Sequence, residues 1–241
     1  MDPYEAYGEA AEQLTTPIII SGRNNFQAGD ELHIINDILN KLHPLSSDRI
    51  LEIGCGVGIL LTPLSQHVAE AVGIDHTSCV ARYKEFGVPS NVQLIAGRWP
   101  EEKPQGTFDR ILVYSVLHYL PDAQTARHFI DNCISILKDG GGLMLGDIPN
   151  EDSRKRFLAS DFGKRFEAEW VAGISRRGEE HAIRDRIFSQ VENTPPYLTD
   201  DFILQLLADT RRQGLESYVV PQAKNLPFCY TREDILIWKR N

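Results

Sequence analysis

The stretch Arg49-Ile-Leu-Glu-Ile-Gly-Cys-Gly-Val-Gly-Ile-Leu-Leu61 decides the fold of this 241-residue chain. A short apolar run carries Glu52, then turns through Gly54, Gly56 and Gly58 into a second apolar run, the pattern of a buried strand bending into a helix. Glycine tolerates positive φ and has no Cβ, so the backbone can turn sharply here and let a ligand come close. Amides at the start of the following helix add partial positive charge. About twenty residues on, Ala71-Val-Gly-Ile-Asp75 reads as a second buried strand ending in a carboxylate. An acid at that place accepts from both hydroxyls of a ribose. Turn and acid together predict a nucleoside site; the turn alone would predict only a turn.

The spacing narrows the nucleoside. A dinucleotide fingerprint has Gly-x-Gly-x-x-Gly, and its third glycine lets the helix pack on the strand. Ile59 stands at that third place, and the glycines fall instead at alternate positions behind an acid. In this form Glu52-Ile-Gly-Cys-Gly-Val-Gly58 resembles the first motif of class I S-adenosylmethionine-dependent methyltransferases of the small-molecule acceptor type. The resemblance runs over residues 48–148. It implies an α/β fold with a doubly wound, mainly parallel, seven-stranded sheet, the Rossmann-like methyltransferase fold, and S-adenosyl-L-methionine as cofactor.

Carried over residue by residue, the resemblance puts Glu52, Gly54, Cys55, Gly56 and Gly58 in the first cofactor loop, and Asp75 with His76 in the second. The third strand, residues 92–96, leads to Gly97, Arg98 and Trp99, where the family often has an acid beside a residue flanking the adenine. Arg98 stands at the acid position, so a backbone amide with Trp99 is the expected replacement. The segment Phe108-Asp-Arg-Ile-Leu-Val-Tyr-Ser-Val-Leu-His-Tyr-Leu120 looks like the family's passage between cofactor and acceptor. Tyr114 and Ser115 then lie beside the methionine part, with His118 and Tyr119 at the acceptor mouth.

Composition excludes other classes. With 42% hydrophobic residues, the chain is long enough for one α/β domain with a sizeable core. A formal charge of -9 lacks the clustered cations that phosphate contacts need, so no nucleic-acid partner is expected. No apolar run reaches bilayer length, and the acidic N-terminal residues do not read as a secretory signal, so no membrane partner is expected. Cys55, Cys79, Cys133 and Cys229 are far apart, without metal-ligand spacing, and read as reduced thiols of a cytoplasmic protein with no metal. The sequence leaves monomer and homodimer both open.

The 241 residues are read as a single methyltransferase domain. Residues 1–47 read as a helical cap, with residues 31–42 placing one apolar face on the sheet edge and Pro44 ending that helix. Tyr4, Tyr7, Arg23, Asn24 and Asn25 lie where this segment could fold over the cofactor. Residues 48–148 are the cofactor-binding core, in the order strand, helix, strand, helix, strand, strand, helix, strand. A helix is expected over residues 122–137, and Gly140-Gly-Gly142 is expected to break the chain before a fifth strand at 143–147. Residues 149–198 form a helical lid inserted after that strand. Residues 199–241 supply the final helix and an antiparallel strand pair at 214–220 and 233–238, joined by a loop, 221–231, over the same mouth.

In the lid, Arg154, Lys155, Arg156, Lys164, Arg165, Arg176 and Arg177 alternate with Phe157, Leu158, Phe162, Phe166, Trp170 and Ile174. Two readings stand: cations turned toward an anionic acceptor, or cations paired with the interspersed acids on a solvated face. If the acceptor is an alcohol, a base takes its proton; His118 is the first candidate because imidazole titrates near neutrality. Asp147 and His181 are further candidates, and Tyr114, Tyr119 and Asn150 would orient the acceptor. The expected activity is methyl transfer to an oxygen or nitrogen of a small molecule, with a sugar, nucleotide-linked or phosphorylated metabolite as the acceptor class. A non-catalytic S-adenosylmethionine-binding protein and an NAD-dependent oxidoreductase are the alternatives.

Overall fold

The computed structural model describes residues 1–23, 30–174, 177–192 and 196–240, without the side chains of residues 30 and 31. Asn24, Asn25 and Arg176 lie outside these residues. Seven strands form one sheet in the order β3-β2-β1-β4-β5-β7-β6. They are β1 (Arg49–Ile53), β2 (Glu70–Asp75), β3 (Val92–Ala96), β4 (Phe108–Tyr114), β5 (Leu137–Pro149), β6 (Glu216–Pro221) and β7 (Arg232–Trp238). The first five pair in parallel, while β7 runs antiparallel to both β5 and β6. The strand order reverses between β1 and β4, the crevice where open α/β sheets bind ligands.

Period-two alternation sends successive side chains to opposite faces. Leu51, Ile53, Val72, Ile74, Ile111, Val113, Leu143 and Leu145 share a buried cluster with α6 (Ala123–Ser135) and α10 (Asp200–Arg212). On the opposite face Leu112, Met144 and Leu236 receive Ile34, Ile35, Ile38 and Leu42 of α3 (Asp30–Leu42). Full burial of each such side chain is worth about 1.5–3 kcal/mol, so this helix is held chiefly by its apolar stripe. It therefore lies on β4, β5 and β7 in the body of the sheet and not on an edge, a correction to the sequence reading. Arg110 on β4 satisfies the helix end, donating from Nε to Leu42 O at 2.8 Å and from Nη2 to His43 O at 3.3 Å.

Before α3 come α1 (Pro3–Gln13) and α2 (Pro17–Ile20). Their Ala6, Ala10, Ala11, Leu14, Ile19 and Ile20 pack with Cys79 of α5 (Thr77–Phe86) and Ile187 of α9 (Glu179–Phe188). This draws the chain's first helix across the carboxyl ends of β1 and β2. The glycine turn runs on to Leu60, and the helix after it, α4 (Leu61–Ser65), is a single short turn. Gly140 to Gly142 do not break the chain as expected: they lie inside β5 as a bulge, where the register with β4 jumps from Phe108↔Leu137 to Arg110↔Gly142. After β5 come α7 (Glu151–Ala159), α8 (Asp161–Ile174) and α9. No helix among the described residues is long and apolar enough to cross a membrane.

Candidate active site

The turn after β1 has positive φ at Gly54 (80°), Gly56 (53°) and Gly58 (84°), the left-handed region that side chains resist. Its first amides are anchored to β2: Gly54 N and Cys55 N both donate to Ile74 O, at 2.9 and 3.3 Å. Asp75 ends β2 and fixes the next step, since its Oδ2 accepts from Gly56 N and its Oδ1 from His76 N, each at 2.6 Å. Burial raises the Asp75 carboxyl above the usual range, and these two amides oppose the rise. Glu52 on β1 is 2% exposed, and its Oε2 has no hydrogen-bond partner. Burial pushes its carboxyl up to about 8, with Arg23 acting against the shift and Asp75 adding to it. The same burial, with two acids nearby, pushes the Cys55 thiol well up, so its sulfur stays protonated and inert.

These groups line a cavity of about 200 Å³. Its wall includes Glu52, Gly54, Cys55, Gly56 and Asp75 from the first two strand ends, Gly97, Arg98 and Trp99 after β3, and Tyr114 and Ser115 after β4. A Cβ built on Gly56 meets nothing within 4 Å, so the bare backbone borders open space there. Gly58 and His76 stand apart from this wall. Gly58 packs against the Tyr83 ring, where a Cβ would come within 2.0 Å, and His76 caps α5 by accepting from Ser78 N at 3.1 Å.

Trp99 serves two purposes at once. It is 6% exposed within the main core, with Nε1 donating to Phe129 O at 3.4 Å, and it also gives the cavity an apolar wall beside Val116 and Leu120. Arg98 faces outward to the start of α1, 2.5 Å from Asp2, with its guanidinium 4.2 Å from the Tyr4 ring centroid. Both ion-pair partners are about 40% exposed, so the pair is worth less than about 1 kcal/mol. It fastens α1 over the cavity, where Tyr4, Tyr7 and Arg23 also contribute to the wall.

A second cavity of about 150 Å³ adjoins the first. Tyr7, Ser21, Arg23, Tyr114, Ser115 and Tyr119 line both. Tyr7 and Tyr119 meet hydroxyl to hydroxyl at 2.7 Å on this common wall. His118 and Asp147 belong to the second cavity alone, together with Trp170, Gln222, Phe228 and Arg232. The His118 ring lies 4.0 Å from that of Tyr119, and its buried Nδ1 has no partner. Burial, then the Arg232 cation, holds its imidazole down at about 3, so it is neutral at physiological pH.

Asp147 has a φ of 59° and a fully engaged carboxylate. Its Oδ2 accepts from Ser115 Oγ and from Arg232 Nη1, and its Oδ1 from Gln222 Nε2 at 3.2 Å. Its backbone N donates to Asp234 Oδ1 at 2.7 Å, and Asp234 is in turn paired with Lys41 Nζ at 2.6 Å. Asp147 is therefore the hub of a network spanning α3, β4, β5 and β7.

The remaining candidates lie elsewhere. His181 is buried on α9 outside both cavities. Asn150 caps α7, accepting from Asp152 N and Ser153 N while donating to Asp200 and Glu233. The cations after β5 follow the solvated-face reading: Arg154 pairs with Glu167, Lys155 with Glu151, Arg156 with Asp200, Lys164 with Asp161 and Arg177 with Asp185. Their aromatic neighbours turn to the 221–231 loop, with Phe157 stacked on Tyr230 at 5.2 Å and Trp170 edge-on to Phe228 at 4.8 Å. Sequence reasoning missed Arg232 and Gln222; the loop expected over the mouth was the only signal that β7 reaches this site.

Comparison with known proteins agrees with this geometry. The family model described as "Methyltransferase domain" matches residues 27–186. The ubiquinone biosynthesis O-methyltransferase of Xylella fastidiosa is 30% identical over 165 residues, covering 65% of this chain and 63% of that protein. Its counterpart from Ralstonia nicotianae is 28% identical over 156 residues, covering 61% and 62%. The match thus spans less than two thirds of either relative. Among solved structures, the N-methyltransferase NodS from Bradyrhizobium japonicum WM9, in complex with S-adenosyl-L-homocysteine, superposes with a TM-score of 0.60 at 18% identity, covering 98% of this chain and 97% of that one. At that identity the likeness speaks for the fold, and the family match speaks for descent: the chain belongs to the class I S-adenosylmethionine-dependent methyltransferases.

Proposed function

We propose that this chain is an enzyme that moves the methyl group of S-adenosylmethionine to an oxygen or nitrogen of a small molecule. The observation that carries the proposal is the pair of cavities meeting at Tyr114, Ser115 and Tyr119. One cavity has a nucleoside's recognition groups, and the other is sized for a small acceptor.

The first cavity fits the cofactor in its donor set. Asp75 would receive the ribose hydroxyls, Trp99 and Leu120 would flank the adenine, and the bare Gly56 backbone would allow close approach. Glu52, buried with an oxygen unpartnered, favours a neighbouring positive group, since an uncompensated buried carboxylate is costly. When bound, the cofactor supplies an electrophilic methyl on a sulfonium. The chain's own task is to hold a nucleophile in line behind it, and positioning of this kind is worth roughly 7–11 kcal/mol.

Neutral His118 orients an acceptor hydroxyl by accepting its hydrogen bond. An imidazole held near 3 is too weak to serve well as a base at neutral pH, because the effective catalytic value lies near the working pH. Asp147, already engaged by three side chains, positions Ser115 and Arg232. A sugar, nucleotide-linked or phosphorylated acceptor would meet Arg232 on the second cavity wall, since the described cations of residues 151–177 that pair with acids are absent from it. Four free cysteines, three of them buried, support a reducing, cytoplasmic setting.

The second cavity favours turnover over a non-catalytic cofactor-binding role. The test is S-adenosylhomocysteine release, read by mass spectrometry, over a panel of hydroxy and amino compounds that includes sugars and phosphorylated metabolites. At least one acceptor is expected to gain a methyl group. Cofactor binding without turnover on any member would favour the non-catalytic reading.

A further inference from the structure

Arg232 lines the second cavity and has more donors than its partner uses. Its Nη1 donates to Asp147 Oδ2 at 2.5 Å and to Asp147 O at 3.3 Å, while Nε and Nη2 have no partner among the described residues. Those two nitrogens form one planar edge of the guanidinium, the fork that matches a carboxylate with two parallel hydrogen bonds. The side chain is 21% exposed and lines the second cavity. It is also held still: Asp147 grips one side, and the Phe228 ring lies 4.7 Å beneath the guanidinium carbon. A guanidinium already ordered loses little further freedom on binding a ligand.

Charge and distance then select the ligand. Asp147 already shares the Arg232 guanidinium, so the group that binds its remaining edge lies beside a carboxylate. A monoanionic carboxylate adds less like-charge repulsion there than a dianionic phosphate. One oxygen, Asp147 Oδ2, accepts from both Ser115 Oγ and Arg232 Nη1, so the cation stands just across that oxygen from the wall common to both cavities.

We propose that the acceptor is a small carboxylate, its anionic end held two-pronged by Arg232 and its hydroxyl or amine, a few bonds away, directed to the shared wall at Tyr114 and Ser115. This rests on the methyltransferase reading above and specifies its substrate class. Phe228 and Trp170 supply flat apolar surface for the carbon skeleton between the two ends.

The test is calorimetric titration of the full chain, saturated with S-adenosylhomocysteine, with hydroxybenzoates (salicylate, 3-hydroxybenzoate and 4-hydroxybenzoate) and their neutral amides. At least one carboxylate should bind ten times or more tighter than its amide. In Arg232→Met that preference should disappear, and in Arg232→Lys, which keeps the charge but loses the fork, it should fall to an intermediate value. A cooperative melting transition identifies the variants that fold, and the wild-type contrast between carboxylate and amide needs no variant. Equal binding of acid and amide, binding of neither, or a preference that survives in Arg232→Met would overturn the proposal. Absence of heat with S-adenosylhomocysteine itself would instead remove the methyltransferase reading beneath it.

Discussion

Gly56 and Gly58 are two residues apart, both have positive φ, and replacement of each by alanine should fail in a different way. At Gly56 the φ of 53° lies in the left-handed well, so Gly56→Ala costs about 1–2 kcal/mol of backbone strain. Its new methyl meets no protein atom within 4 Å, so no clash adds to that cost. For a chain of this size the melting temperature should fall by about 2–8 °C. On the proposal that the first cavity seats the cofactor, the methyl enters that space, and overpacking of about 1–3 kcal/mol should weaken S-adenosylhomocysteine binding roughly 5- to 150-fold. At Gly58 the methyl would lie 2.0 Å from Cζ of Tyr83, which is 1% exposed and whose hydroxyl is 2.7 Å from Thr62 Oγ. Strain and overpacking together cost about 2–5 kcal/mol, a fall of about 4–20 °C. Thermal melting by circular dichroism and calorimetric titration of both variants separate the two effects. If Gly56→Ala binds S-adenosylhomocysteine as the wild type does, or Gly58→Ala melts no lower than Gly56→Ala, the assignment of one glycine to the ligand and the other to the fold is wrong.

Glu52 should make the ligand-free protein less stable as pH rises. Its folded value of about 8 lies above the ordinary 4.5, so its contribution is complete below 4.5 and lost as pH climbs through 8. Urea denaturation of Glu52→Gln should show that slope flattened, and an unchanged slope would refute the burial argument. His118, held near 3, gains its stabilising neutral form above 6.5 and loses it as pH falls toward 3, so it should produce no inflection in the rate between pH 5 and 8. His118→Gln should slow turnover about tenfold, short of the 10²- to 10⁴-fold owed to a general base; an inflection near 6.5 that vanishes in this variant would make it the base after all. Lys41→Met removes the cation shared by Asp234, 0% exposed, and Asp37, 8% exposed, and should cost about 3–5 kcal/mol in urea titrations. Adding Asp234→Asn should recover much of that loss, and a double variant no better than the single one would argue against the pairing.

The first cavity was readable because the groups that line it are local. Gly54, Gly56 and Asp75 sit at the ends of adjacent parallel strands, and the register Ile53↔Ile74 brings them together once both strands are recognised. The second cavity depends on long-range pairing. Asp147 reads as a free carboxylate until β7 folds back antiparallel and brings Arg232 and Asp234 to it across 85 and 87 residues. The same return engages the carboxylate that the sequence offered as a base. His76 illustrates a different limit: it directly follows Asp75 in the chain, yet its ring is taken up in capping α5. The cations after β5 were ambiguous only in part, since Lys155 with Glu151 and Lys164 with Asp161 already stand at helical pairing distances of four and three residues. Residues 140–142 show that consecutive glycines can bulge a strand without ending it.

The central claim is that Gly56 and Asp75 seat an adenosyl compound at the point where the strand order reverses. Calorimetric titration of the wild-type chain and of Asp75→Ala with S-adenosylhomocysteine, and of the wild type with NADH, tests it most directly. The account predicts saturable one-site binding of S-adenosylhomocysteine, at least tenfold weaker in Asp75→Ala, and no heat with NADH. Tight binding that ignores the loss of Asp75, or heat with NADH alone, would contradict it.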